Sequence, residues 1–218
     1  AMTTEIYIRL NRFIDMEWEA LAASLKWFRE EGLRVLERAT GFRTIFFGVD
    51  PKKGRASGIT FWASEGCLRQ SESVEKRLGV EALARANADS SNGLVDRYQL
   101  RLFEVTGQPD AEYARLVRWQ GLTVARLRSA FEGFVERDLP ALAEMPGFSG
   151  IFAADDERKG KALSVIMWDS REALQASVEL EREARARAEA TIGPNRPTVA
   201  DTYQVAMVPA VHALRAAA

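Results

Sequence analysis

Apolar and polar side chains alternate over Ile6-Tyr7-Ile8-Arg9-Leu10, which is the period of a half-buried strand. From about residue 15 to 31 the period changes, and Trp18, Leu21, Leu25 and Phe28 recur at helical spacing. Gly32 interrupts that run, so a short separate turn is expected behind the helix. Thr40-Gly41 stops the segment. Phe42–Val49 and Ala56–Ala63 then read as two strands joined by the polar turn Asp50-Pro51-Lys52-Lys53-Gly54. Ser64 stands where a helix N-cap belongs. The helix behind it runs to about Ala88, and a last strand holds Tyr98, Leu100 and Leu102. The order β-α-β-β-α-β is the split βαβ, or ferredoxin-like, motif.

The pattern is written twice. Residues 41–64, GFRTIFFGVDPKKGRASGITFWAS, and residues 147–170, GFSGIFAADDERKGKALSVIMWDS, share one skeleton at an offset of 106. Arg9-Leu10-Asn11-Arg12-Phe13 is answered by Arg115-Leu116-Val117-Arg118-Trp119, and Leu68 and Ser71 by Leu174 and Ser177. After one deletion the offset becomes 105, with Asp96, Tyr98 and Gln99 answered by Asp201, Tyr203 and Gln204. In the second copy Pro140 falls near the counterpart of Gly32, Pro146-Gly147 supplies the stop and Ser170 the cap. A repeat this long is domain-sized and does not suit a solenoid. Two domains are expected, 1–107 and 108–218, the second ending in an Ala-rich tail. The segment between them, Val105 to Ala111, is short and breaks both helix and strand. A ferredoxin-like unit covers one face of its sheet with helices and leaves the other open. The two copies are therefore expected to form a pseudo-dimer within one chain, for which a monomer suffices.

Composition narrows the partners. Hydrophobic residues make 47% and charged residues 28% of 218, so the chain can bury a globular core. With 30 basic and 31 acidic residues the net charge is −1, and no strong field draws it to nucleic acid or an anionic membrane. No apolar run reaches the roughly 18 residues of a membrane span, and AMTTEIYIRL lacks the layout of a signal peptide. Cytoplasmic location is the expectation. The single cysteine, Cys67, excludes an internal disulfide and a Cys-based zinc site, and its alignment with Ala173 suggests a small buried residue.

Certain residues carry a family likeness. Gly147-Phe148-Ser149-Gly150, Trp168-Asp169-Ser170 and Glu172-Ala173-Leu174-Gln175-Ala176-Ser177 resemble the antibiotic biosynthesis monooxygenase domain. The first copy departs from it at Thr44, in place of the last glycine, and at Gly66-Cys67, in place of Glu-Ala. The likeness covers nearly the whole chain as two copies. It implies an α+β fold, two ferredoxin-like βαββαβ repeats forming an intrachain dimeric α+β barrel. That family includes cofactor-independent quinone-forming monooxygenases and haem-degrading oxygenases. It implies a small aromatic, polyketide-like substrate and dioxygen as partners, with no cofactor, because such a substrate supplies its own electrons. A cyclase or isomerase on the same fold, or a non-catalytic small-molecule-binding protein, stays open beside this reading.

The resemblance also marks candidate site residues. Trp62 and Trp168 occupy the family's cavity-lining Trp position, where an indole can stack on a flat ring and donate one hydrogen bond. A packing role common to the fold explains two tryptophans as well. Asn11 faces Val117 across the repeat, and an amide there could hold a phenolate or an oxygen adduct; a solvent-facing strand residue is the plainer alternative. Thr60, replaced by Ile166 in the second copy, would add a hydroxyl beside Trp62. On these differences the first copy is the expected catalytic half, with Asn11 and Trp62 catalytic and Thr60, Arg12, Tyr98 and Trp168 substrate-binding. Of Arg9 and Arg12, three apart on a strand, one can face a cavity, although an Arg–Asp tie to Asp96 between neighbouring strands suits the pattern better. Tyr98 and Tyr203 suit packing as well as proton donation. The only histidine is His212, and the helices of both copies lack the axial His of the family's haem degraders, so no metal or haem site is expected. The charged run Glu179 to Arg187 reads as an exposed helix face with charge pairs one turn apart.

Overall fold

The computed structural model describes residues 5–106, 110–193 and 199–215. Ala1 and the linker residues Gly107, Gln108 and Pro109, as well as the end of the Ala-rich tail, lie outside the described residues. Two compact units result. One joins Ala1–Gln99 to Ala206–Ala218, and the other is Leu100–Val205. The expected boundary at 107/108 differs from this division because two long strands each run past a unit's edge.

The first unit has strand β1 (Tyr7–Phe13), helix α1 (Trp18–Trp27), a π-helical turn (Phe28–Gly32) and helix α2 (Leu33–Glu37). Strands β2 (Phe42–Asp50) and β3 (Arg55–Trp62) follow, then helices α3 (Glu65–Gln70) and α4 (Glu72–Arg85) and strand β4 (Gly93–Val105). The sheet order is β4-β1-β3-β2, all antiparallel. Gly32 does not end the first helix as expected. It keeps right-handed dihedrals of φ −61° and ψ −41°, and the helix passes through a wider π turn into α2. The glycine is needed because a Cβ would come within 2.6 Å of the Phe28 ring. Ser64 caps α3, accepting from the Cys67 amide at 3.1 Å.

The second unit repeats this order with strand β5 (Tyr113–Trp119), helix α5 (Val124–Gly133), a π-helical turn (Phe134–Asp138) and helix α6 (Leu139–Ala143). Strands β6 (Phe148–Asp156) and β7 (Lys161–Trp168), helices α7 (Arg171–Ala176) and α8 (Val178–Ile192) and strand β8 (Val199–Met207) complete it. Its sheet order is β8-β5-β7-β6. Pro140 fits because it sits in the first turn of α6, where its missing N–H leaves no bond unmade. Helix α9 (Val211–Arg215) closes the chain, and it carries His212, which is exposed. The first unit takes the last two residues of β8, and the second begins within β4. Among the described residues no helix is long and apolar enough to cross a membrane.

Strand register decides which side chains meet the helices. In the first unit Arg9, Asn11, Thr60, Trp62, Ile45 and Phe47 share the helix-covered face, as the pairs Arg9↔Thr60, Asn11↔Gly58, Ile45↔Thr60 and Phe47↔Gly58 show. The other face carries Ile8, Leu10, Phe46, Ile59 and Phe61, all at 0% exposure. Each such side chain contributes about 1.5–3 kcal/mol when withdrawn from water. The two hairpins are pinned alike. Gly54 and Gly160 have φ of +60° and +61°, and their carbonyls accept from the amides of Met16 and Leu122. A Cβ would meet the Met16 carbonyl oxygen at 2.1 Å, or that of Leu122 at 2.2 Å. Gly54→Ala or Gly160→Ala should therefore cost more than about 1 kcal/mol, read as a lowered melting temperature. Unchanged melting would show that these loops yield.

Candidate functional site

The helix-covered face of each unit holds a buried carboxylate. In the first unit it is Glu75 of α4, 8% exposed. Its Oε1 accepts from the Thr60 hydroxyl at 2.5 Å, and its Oε2 accepts from the Asn11 amide at 3.0 Å. Arg9 Nη1 lies 3.0 Å from the same Oε2 and also donates to the Ser71 hydroxyl, while Nη2 donates to the Leu68 carbonyl. The Trp62 indole N–H donates to the Thr60 hydroxyl at 2.9 Å. Asn11, Thr60 and Trp62 are thus brought together, but each spends its polar group on this cluster.

The second unit carries the same carboxylate, Glu181 of α8, at the 106-residue offset from Glu75. It is 7% exposed, so the helix run Glu179 to Arg187 is not the wholly exposed face expected from its charge. Glu181 Oε1 accepts from the Trp168 indole at 3.0 Å and from the Ser177 hydroxyl at 2.7 Å. Arg115 Nη1 pairs with Oε2 at 2.6 Å, as Arg9 does with Glu75. Val117 and Ile166 replace the two further donors that the first unit supplies.

Beside each carboxylate is a cavity, and the two differ in size. The first measures about 60 Å³ and the second about 240 Å³. Three positions account for the difference. Phe47 stacks on Phe28 with centroids 6.0 Å apart and lies across Gly58, whose missing Cβ makes room for its ring at 3.0 Å. Leu78 of α4 fills the space beside it. Their counterparts are Ala153, Ser164 and Ala184, all of which line the larger cavity. Its remaining wall is mainly apolar, with Leu127, Phe131 and Phe134 from α5 and the π turn behind it. Polar groups enter at Arg115, Glu181, Ser164, Trp119 and Asp155. The Trp119 indole N–H is buried and has no hydrogen-bond partner among the described residues. Burial pushes the Asp155 carboxyl above its usual range, and the hydrogen bond from Arg101, 3.0 Å to each oxygen, pulls it back.

The other expected site residues lie elsewhere. Arg12 and Tyr98 stand on the sheet face away from the helices, by the pairs Arg12↔Ser57 and Ile8↔Tyr98, and line neither cavity. Arg12 pairs with Asp96 at 3.6 Å and Arg118 with Asp201 at 3.7 Å, which are the cross-strand ties the repeat suggested. Trp62 and Trp168 are both 0% exposed and meet Phe42 and Phe148 edge to face at 5.5 and 5.7 Å. Both act through the carboxylate cluster and line neither cavity. Cys67 is half-buried against Gly41, not fully buried.

No family model matches this chain, and no curated protein matches it in sequence. Solved structures do. An anthrone oxidase-like protein is 17% identical, with a TM-score of 0.65 over 94% of this chain and 93% of its own. A candidate monooxygenase from Fusobacterium nucleatum subsp. nucleatum is 11% identical, with a TM-score of 0.67 over 95% of each chain. A monooxygenase-like protein from Listeria innocua is 11% identical, with a TM-score of 0.51 over 90% and 92%. At these identities the likeness is one of fold, and over nearly its whole length the chain has the α+β fold of these monooxygenase-like proteins.

Proposed function

We propose that the protein is a cofactor-independent monooxygenase that oxidises a phenolic or polyketide-like ring to a quinone, working in the cavity of the second unit. The observation that carries this reading is the asymmetry between the copies. One cavity is closed by Phe47 and Leu78, while the other is opened by Ala153 and Ala184 to about 240 Å³. Small-molecule sites run from about 300 to 1,000 Å³ with mostly apolar walls and a few placed polar groups. The second cavity approaches that size and has that lining. The first has room for little more than water. Asn11, Thr60 and Trp62 then hold the first unit together, and the reacting ring lies against Phe131, Phe134 and the alanines.

The chemistry asks little of the protein. A ring methylene loses two hydrogens and gains one oxygen atom of dioxygen, and the other oxygen atom leaves as water. The electrons come from the ring carbon's own C–H bonds. The protein binds the ring, excludes water and fixes its orientation. Anthrone is a fitting probe, since its enol carries a ring hydroxyl and one structural relative is anthrone oxidase-like. The expected result is uptake of one dioxygen per quinone formed, without added nucleotide, followed with an oxygen electrode and by quinone absorbance. Ring binding without oxygen uptake would make the chain a binding protein, and conversion without uptake a cyclase or isomerase.

A further inference from the structure

The cavity of the second unit is lined by four arginines and two carboxylates. Arg115 is held by Glu181 at 2.6 Å, and Arg101 by Asp155 at 3.0 Å. Arg182 donates twice to Glu179 on the exposed side of α8. Arg185 is left. Its Nε stands 3.9 Å from the Glu189 carboxylate, too far for a hydrogen bond, and its two terminal nitrogens have no partner among the described residues. An ion pair of that length on a helix surface holds a guanidinium weakly. The side chain is 33% exposed, so it is neither sealed in the wall nor wholly in water.

The copies differ at this position. Arg185 answers Gly79 at the 106-residue offset, and each lines its own unit's cavity. Packing does not demand that glycine, since a Cβ there would meet nothing within 4 Å. The cation is present where the cavity is open and missing where Phe47 and Leu78 close it. On α8 it lies one turn beyond Glu181 and one turn before Ala188, which line the same space. An apolar space that admits a ring therefore has at its edge a guanidinium with donors to give.

We infer that Arg185 binds a carboxylate carried by the ring, so that the second cavity takes aromatic carboxylic acids, the ring against the apolar wall and the anion at the partly exposed edge. This rests on the proposed function in placing the working site in the second unit, and it names the substrate class there. The charge belongs at the edge, because a carboxylate buried in the apolar space without a partner is strongly unfavourable. A guanidinium suits it, since its forked donors match both carboxylate oxygens.

The probes are 2-naphthoate and 2-naphthamide, which have nearly one shape, only the first being charged. Binding to the full chain is measured by calorimetry at low ionic strength. 2-Naphthoate should bind about five- to twentyfold more tightly, less than a fully buried charged hydrogen bond would give because Arg185 is part-exposed. In Arg185→Gln, which keeps a good helix former, 2-naphthoate should bind no better than the amide, and the amide's own affinity should change less than about twofold. Arg182→Gln should keep the preference, because that guanidinium serves Glu179. Equal binding of the two probes to the wild type would overturn the carboxylate site and leave the proposed cavity standing. So would a preference that survives Arg185→Gln, or one lost equally in both variants, which is the mark of a general positive field. Binding of neither probe would overturn both the carboxylate site and the choice of cavity.

Discussion

Filling the second cavity with the first unit's own side chains, Ala153→Phe, Ser164→Gly and Ala184→Leu together, should abolish aromatic binding and any oxygen uptake. The loss is expected to be on the order of a hundredfold or more, because the ring's place is taken by protein. The set of three matters. Phe47 fits in the first unit only because Gly58 lies beneath it, and Ser164 would push a new Phe off its rotamer. With the glycine supplied, the packing has a precedent in the same chain, so the melting temperature should hold or rise. The converse, Phe47→Ala with Leu78→Ala, removes buried side chains from a packed core. Each change costs about 2–5 kcal/mol, so this variant should melt much earlier without gaining turnover. Retained binding in the triple variant would place the ligand elsewhere, whereas loss of binding in the Phe47/Leu78 variant alone would return the site to the first unit.

Much of this architecture could be read from the chain. The doubled skeleton fixed the element order because strand alternation, the Gly-containing hairpins and the Ser64 and Ser170 caps are all local signals. The Arg12–Asp96 and Arg118–Asp201 ties were legible because both partners recur. Glu75 and Glu181 recur at the same offset as Ser71 and Ser177, one helical turn further on, yet a pattern search passes over them. A charged residue on a helix is taken for its wet face, and the inward stripe Ser71-Glu75-Leu78 is broken by its own polar members. Only the buried Arg9 across the sheet makes an inward Glu tolerable, and that partner lies 66 positions away in sequence. Cavity size was less legible still. It depends on Phe47 lying over Gly58 and on Ala153 lying opposite Ser164, which is a matter of strand register. Counting hydrogen-bonding groups favoured the first unit. Those groups proved to be bonded to one another, and the copy with fewer of them keeps the open space.

The two carboxylates should also differ in what their removal costs. Glu75→Ala leaves Arg9, 2% exposed, as a buried cation without its counter-ion, and strands the Asn11 amide and the Thr60 hydroxyl with it. Breaking a buried pair in this way costs roughly 3–5 kcal/mol, which in a chain of this size lowers the melting temperature by about 6–20 °C. Glu181→Ala leaves the buried Trp168 indole N–H without its acceptor and strands Arg115, which is 13% exposed and borders the larger cavity. Water can enter there and solvate the guanidinium, so the loss should be about half as large. Ser177 keeps its bond to the Leu174 carbonyl in either case. Thermal melts of the two variants side by side make the comparison, and a double-mutant cycle with Arg9→Met isolates the first pair. In that cycle Arg9→Met/Glu75→Leu should recover part of the loss, since neither partner is then left charged and alone. If Glu181→Ala costs as much as Glu75→Ala, water does not reach Arg115 and the second cavity is dry.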